Sequence, residues 1–322
     1  MSCLCSGILF ADIACYPISH NPQEGELVPT EKIELNLGGC ASNAAFALAK
    51  LGAPVTLAGC VSDDALSDFV VRAVSVPLIN SDFLQRVPGM CPGTAMHINV
   101  QNQDRRFITT TGANDKFIFD DTLFDFVKTA APNPAGRKVL YIGGFFMLRG
   151  LENLRSIEFL QAAREHGWTI VLDVVLNGQR DYWHILEPFL PLADFFMPNE
   201  HEGEKITGCA DPYEQAKVFR NVGAKTVIIT QGSVGTLCFS DADNFRSGVY
   251  PIEYISGSGS GDAFCAGFIA AQLEGLDLRN AVRWGSAVGA SSVRGISTTG
   301  TVFNREELLT FLGKHELVFE DI

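Results

Sequence analysis

Residues 256–264 read Ser256-Gly257-Ser258-Gly259-Ser260-Gly261-Asp262-Ala263-Phe264, a turn with glycine at alternate positions that runs straight into the small and apolar stretch AFCAGFIAAQL. Glycine lets backbone N–H groups approach an oxyanion closely, and a helix starting there adds about +0.5 charge at its first turn. The segment therefore reads as an anion site. Asp262 is out of place if phosphate binding is the whole of it, because a carboxylate repels phosphate. Beside a phosphoryl cradle, however, a carboxylate can take the proton from an attacking hydroxyl, as general-base catalysis requires. The same spacing also suits an aspartate that merely caps a helix after a flexible turn, and the segment alone leaves both readings open.

Upstream of this turn, short β-rich runs alternate with helical stretches. Strands are expected at Cys3–Phe10, Pro54–Val61, Lys138–Ile142, Thr169–Asp173, Asp194–Met197 and Thr226–Thr230. Helices are expected at Ser42–Leu51, Asp64–Ala73 and near 151–166, 200–207 and 212–222, and two more follow at Asp262–Leu273 and Leu278–Val293. This βαβα order predicts an α/β fold with a mostly parallel central sheet flanked by helices. Residues 13–37, ending in EKIELNL, and 92–111, where TAMHINV and RRFITTT flank Gln101–Asp104, break the rhythm. They predict a small β lid built from two insertions in one domain spanning 1–322, its exposed strands offering a pairing edge for a homodimer.

The 322 residues, 47% hydrophobic and 19% charged, suit an ordered globular protein with a large core. The net charge of −13 argues against broad binding to a nucleic-acid backbone. The chain lacks the roughly eighteen uninterrupted apolar residues a membrane span needs, and Met1-Ser2-Cys3-Leu4-Cys5 puts no basic flank before its apolar run, so a cytoplasmic protein without membrane association is expected. Nine scattered cysteines with no C-x-x-C pair predict reduced, mostly buried thiols. The G-x-x-x-x-G-K-[ST] and G-x-S-x-G motifs are missing, and so is a strand-linked G-x-G-x-x-G near the N-terminus, which argues against a Rossmann dehydrogenase.

The 256–262 turn resembles the D-T-x-G-A-G-D signature of the ribokinase-like (PfkB) carbohydrate kinases. Their other signature is matched by Gly38-Gly39-Cys40-Ala41-Ser42-Asn43-Ala44-Ala45, with Ala49-Lys50-Leu51-Gly52 closing the helix. Gly7 to Asp12 is similar to the family's opening G-x-x-x-x-D, Asn199-Glu200-His201-Glu202 to its N-x-x-E, and Thr230-Gln231-Gly232 with Gly235 to its T-x-G-x-x-G. The resemblance covers nearly the whole chain. It implies a ribokinase-like fold and an ATP-dependent kinase that phosphorylates a hydroxyl of a sugar or sugar derivative, with ATP and Mg²⁺ as cofactors.

By position, the resemblance makes Asp262 the catalytic base and the amides of Gly259, Ser260 and Gly261 the anion hole. Gly38, Gly39 and Asn43 would hold acceptor hydroxyls, Asp12 would accept hydrogen bonds from a diol, and Asn114 of Gly112-Ala113-Asn114 would bind a further hydroxyl. Asn199 and Glu202 would organise Mg²⁺ through its waters, while Thr230, Gly232 and Gly235 would turn beneath the nucleotide, whose adenine would lie against the 280s helix. Asp173, His97 and Arg105 or Arg106 are weaker candidates, more in keeping with structural or solvated side chains. Ser256 and Gly257 replace the usual Asp and Thr, and Ser260 the Ala, which puts the monovalent-cation site of relatives in doubt. Cys40 stands where the family varies with acceptor, and Phe145 and Phe146 follow the strand where ribokinase itself carries an acidic sugar contact, so ribose is a poor specific guess. A nucleoside kinase of the same fold, its stacking surface drawn from the 23 phenylalanines, and a non-catalytic sugar- or nucleotide-binding regulator remain the alternatives.

Overall fold

The computed structural model describes residues 1–101, 103 and 106–322. Its strands are β1 (Cys3–Gly7), β2 (Phe10–Cys15), β3 (Ile33–Gly38), β4 (Val55–Val61), β5 (Ile79–Arg86), β6 (Thr94–Ile98), β7 (Arg106–Thr110), β8 (Val139–Gly143), β9 (Thr169–Leu172), β10 (Phe195–Phe196), β11 (Thr226–Thr230), β12 (Thr236–Ser240), β13 (Phe245–Ser247) and β14 (Phe319–Asp321). The helices are α1 (Cys40–Lys50), α2 (Ala65–Val74), α3 (Asp121–Thr129), α4 (Leu154–Glu165), α5 (Tyr182–Leu186), α6 (Glu200–Thr207), α7 (Pro212–Asn221), α8 (Ser260–Leu273), α9 (Leu278–Ser292) and α10 (Arg305–Lys314).

One sheet runs β14-β13-β12-β11-β10-β9-β8-β1-β4-β5. From β5 through β11 every pairing is parallel. β1 and β8, in the middle, are buried along their whole length, as strands covered by helices on both faces must be. Alternate residues of β8 enter opposite cores: Tyr141 packs with Ala44, Phe268 and Val288 under α1, α8 and α9, and Leu140 and Ile142 pack with Phe159, Phe196 and Phe219 under α4 to α7.

The βαβα order does not hold throughout. After β11 the chain turns back through residues 231–235, and β12, β13 and β14 pair antiparallel. A parallel crossover needs a dozen or more residues, so this short connection admits only a hairpin. The first strand is also shorter than expected. The chain leaves the sheet at Ile8, whose N–H donates to the Gly143 carbonyl and whose carbonyl accepts from Ala41, and Phe10 already belongs to the lid. The lid is a separate sheet, β3-β2-β6-β7, with a parallel β2–β6 pair at its centre and antiparallel pairs outside. Residues 102, 104 and 105, within and beside the expected hairpin turn, lie outside the described residues.

α8 and α9 are nearly in backbone contact, since a Cβ at Gly267 would stand 2.7 Å from the Trp284 carbonyl oxygen. This packing fixes the position of the α8 N-terminus against the sheet. All nine cysteines are free, and no helix among the described residues is long and apolar enough to cross a membrane.

Candidate active site

Asp173, Asn199 and the end of β11 at Thr230 all stand at the carboxyl ends of parallel strands, the edge where open α/β sheets bind ligands. Above that edge α8 begins. Its N-cap, Gly259, has φ 75°, and a Cβ there would meet the Thr298 carbonyl oxygen at 2.7 Å, so glycine is required twice over. At Gly261, by contrast, nothing lies within 4 Å of where a Cβ would stand. The Ser260 amide donates to Gly257 at 3.3 Å. Among the described residues the amides of Gly259, Gly261 and Asp262 have no acceptor, which leaves them directed at whatever occupies the helix mouth.

Asp262, in the first turn of α8, meets α1 there: Asn43 Nδ2 donates to Asp262 Oδ2 at 2.8 Å. Asn43 is itself held, because Thr298 Oγ1 donates to its Oδ1 at 3.2 Å and is also within 2.8 Å of the Leu37 carbonyl. The residue expected to hold the acceptor is thus also the one that orients the carboxylate. Thr298 was missed; it belongs to no motif and only the fold brings it to the site. The Gly38-Gly39 pair makes room for this corner. Gly39, at φ 92°, would place a Cβ 2.4 Å from the Ile8 carbonyl oxygen, and one on Gly38 would fall 2.0 Å from Asp12 Oδ2.

Cys40, Asp173 and Asp262 bring one ligand atom each to within 4.8 Å of one another. Asp173 Oδ2 also accepts from the Gly144 amide at 3.1 Å and the Tyr141 hydroxyl at 3.3 Å. Burial, and then the charge of Asp262, push the Asp173 carboxyl up to about 8, so it is mostly protonated at neutral pH. Burial likewise raises Asp262, while bonds from Asn43 and Cys40 pull it back and the charge of Asp12 adds to the rise. Asp173 therefore sits inside the site, which its position at a strand end hinted at but its residue type did not establish.

Asn199 and Glu202 form the capping box of α6: Asn199 Oδ1 accepts from the Glu202 amide at 2.9 Å and Glu202 Oε2 from the Asn199 amide at 2.8 Å. Burial and the charges of Asp173 and Asp262 push Glu202 well above its ordinary range. A divalent cation would relieve this crowding of carboxylates, and with one Glu202 oxygen already bonded to backbone the pair suits a hydrated ion held through water. The residues present thus fit Mg²⁺.

On the lid side, Asp12 Oδ2 lies 3.2 Å from His97 Nε2, and each side chain is 7% exposed. Asp12 Oδ1 is buried and has no hydrogen-bond partner among the described residues.

Asn114 is fully buried and its amide is fully engaged: Oδ1 accepts from the Leu9 amide, and Nδ2 donates to the Leu9 and Thr111 carbonyls, each at 3.0 Å. It clamps the β1–β2 connection to the segment after the lid and has no donor left for a hydroxyl, so the hydroxyl-binding role is corrected. Thr230 and Gly232 line the turn after β11, where Gly232 has φ 55° and open space beside it; Gly235 is needed because a Cβ would stand 1.9 Å from the Ser247 carbonyl oxygen. Phe145 and Phe146 are fully buried against Phe189 and Tyr182 and belong to the core. Arg105 lies outside the described residues, and Arg106 is exposed and bonded to Gln103.

The pfkB family carbohydrate kinase model matches residues 2–304. A deoxyribokinase of Salmonella typhi is 26% identical over 300 residues, covering 92% of this chain and 94% of that protein. A ribokinase of Haemophilus influenzae is 27% identical over 293 residues, with 89% and 91% covered. Among solved structures, the Arabidopsis thaliana ribokinase complexed with ribose and ATP is 24% identical with a TM-score of 0.78, covering 95% of this chain and 97% of that one. An E. coli structure in complex with ATP and Mg²⁺ is 20% identical with a TM-score of 0.79, covering 98% and 100%.

Proposed function

The chain belongs to the pfkB family of carbohydrate kinases, ATP-dependent sugar phosphotransferases, and on that premise we propose that Asp262 is the general base of its phosphoryl transfer. The observation that carries this reading is a carboxylate in the first turn of α8, beside amides with no acceptor among the described residues and gripped on one oxygen by Asn43. The carboxylate accepts the proton of an attacking hydroxyl on the oxygen that Asn43 does not hold, next to Cys40. Raised by burial, the carboxyl is a stronger base than a solvated aspartate, while the bonds from Asn43 and Cys40 favour its ionised form.

The amides of Gly259 and Gly261, together with the helix N-terminus, receive charge that develops on the transferring phosphoryl, and Ser260 lends its position in the same turn. Mg²⁺, when bound, neutralises charge between the nucleotide phosphates. Asn199 and Glu202 hold its waters, and Thr230, Gly232 and Gly235 shape the surface under the nucleotide. Gly38 and Gly39 let the acceptor approach the start of α1, where Asn43 points at the reacting end and Asp12 at the far end. The lid of β2, β3, β6 and β7 closes over the acceptor and keeps out water that would otherwise be phosphorylated.

The outer lid face supports a homodimer. Leu35, Ile13, Met96 and Ile108 are paired in register as one row across all four strands, and Leu35, Met96 and Ile108 are exposed. Met96→Lys should turn a dimer into a monomer in light scattering; an unchanged mass would remove the lid from the interface. The free cysteines support a cytoplasmic setting. Acceptor-dependent ADP release, screened over pentoses, hexoses, sugar acids and nucleosides with and without potassium, tests the function. With Ser256 and Gly257 where relatives carry the cation ligand, turnover is expected to need no potassium. ADP release that no sugar stimulates would overturn the reading.

A further inference from the structure

The inner face of the lid carries a polar pair of which the reading above uses only Asp12. Asp12 of β2 and Asn36 of β3 are directly opposed across an antiparallel pairing. Opposed residues project to the same side of a sheet with their Cβ atoms about 5 Å apart. Asp12 Oδ1 is a buried acceptor with no partner and Asn36 Nδ2 a buried donor with none, among the described residues, and no hydrogen bond joins the two. Leaving either group dry and unpaired costs about 1–3 kcal/mol, so two such groups side by side imply a third group that serves both.

Asp12 is held in place for that partner. It is 5% exposed, His97 of β6 takes its Oδ2, and the missing side chain of Gly38 lets the carboxylate lie against the β3 backbone. The bridging group must donate to a carboxylate oxygen and accept from an amide. A hydroxyl does both, whereas a carboxylate, phosphate or keto oxygen cannot donate and an ammonium cannot accept. We propose that Asn36 and Asp12 together bind a single hydroxyl of a neutral sugar acceptor, Asn36 donating to its oxygen and Asp12 Oδ1 taking its hydrogen, with His97 as the positioning residue. The proposal rests on the sugar-kinase reading and adds to it a residue outside every motif and a limit on the acceptor: it presents a free hydroxyl, and no anionic group, at the end away from Asp262.

The test is equilibrium binding by calorimetry, without turnover, using D-ribose, 2-deoxy-D-ribose, D-fructose and D-glucose against the wild type, Asn36→Ala and Asn36→Asp. Each variant is first checked for an unchanged melting temperature. For the sugar the wild type binds most tightly, Asn36→Ala should weaken affinity about 5- to 10-fold and Asn36→Asp further, since it sets a second carboxylate beside Asp12; ATP affinity should not change. Single-deoxy analogues of that sugar supply a measurement that does not depend on comparing stabilities: the analogue lacking the bridged hydroxyl should bind wild type and Asn36→Ala equally. Equal sugar affinity in wild type and Asn36→Ala, or an undiminished effect with every deoxy analogue, overturns this proposal and leaves the kinase reading standing. Binding that depends on Asn36 without any ADP release by the wild type upholds the proposal and sinks the kinase reading. Binding of none of the four sugars overturns both.

Discussion

Asp173→Asn isolates the electrostatics of the site. Asparagine keeps the oxygen that accepts from Gly144 and Tyr141 and places a permanent donor where the carboxyl proton sits. In the wild type the folded chain holds that proton up to about pH 8, whereas the unfolded chain releases it near the ordinary 3.8. Between those values the folded state binds more protons, so stability is highest at low pH and falls as pH rises, by about 1.4 kcal/mol per unit. From about pH 5 to pH 8 the loss is about 3–4 kcal/mol. With an unfolding entropy of about 2.1 cal/mol/K for each of the 322 residues, 1 kcal/mol moves the melting temperature by roughly 1.5 °C. Asp173→Asn should therefore melt close to the wild type near pH 5 and about 5 °C above it near pH 8. Differential scanning calorimetry at both pH values measures the difference, from which groups common to the two proteins cancel. A difference that is flat with pH would refute a buried, proton-holding Asp173.

Three other outcomes follow from the same geometry. Asn114→Ala leaves the Leu9 amide and carbonyl without their partner and should destabilise by about 2–3 kcal/mol, read as a lower melting temperature with acceptor KM unchanged. Gly259→Ala forces a side chain onto φ 75° and against Thr298, and should cost about 1–3 kcal/mol; displacing the α8 N-terminus should also lower kcat, so a wild-type kcat would separate that turn from catalysis. Because Asp262 must be ionised to act as base and burial raises it, the acid limb of kcat/KM should lie above the ordinary aspartate range, and a limb at or below about 3.9 would contradict this.

How much of this could be read from the sequence depended on whether the feature was local. The Gly38-Gly39 and Gly257–Gly261 turns were legible because tight turns and close backbone approach call for glycine, and helix α6 because its capping box is written in Asn199 and Glu202. The return of the chain after β11 was signalled by TQGSVG between two β-rich runs, a hairpin spacing that the βαβα rhythm masked. The link from Asn43 to Asp262 spans most of the chain; Thr298 behind it carries no local mark of its role, and Asp173 beside it is marked only by its place at a strand end. Asn114 shows the converse, since its motif drew attention to a residue whose side chain the fold uses entirely as a clamp. Asn36 was within reach: in EKIELNL the period of two places Ile33, Leu35 and Leu37 on one face and Glu34 and Asn36 on the other, but only the pairing with β2 sets Asn36 opposite Asp12.

We propose that the Asp262 carboxylate removes the proton of the attacking hydroxyl. This is tested most directly by single-turnover ADP formation in Asp262→Asn at saturating ATP, Mg²⁺ and sugar, with ATP affinity measured in parallel. The expected result is a rate lower by about 10²-fold or more with ATP affinity held within a few-fold. A rate near that of the wild type would contradict the account.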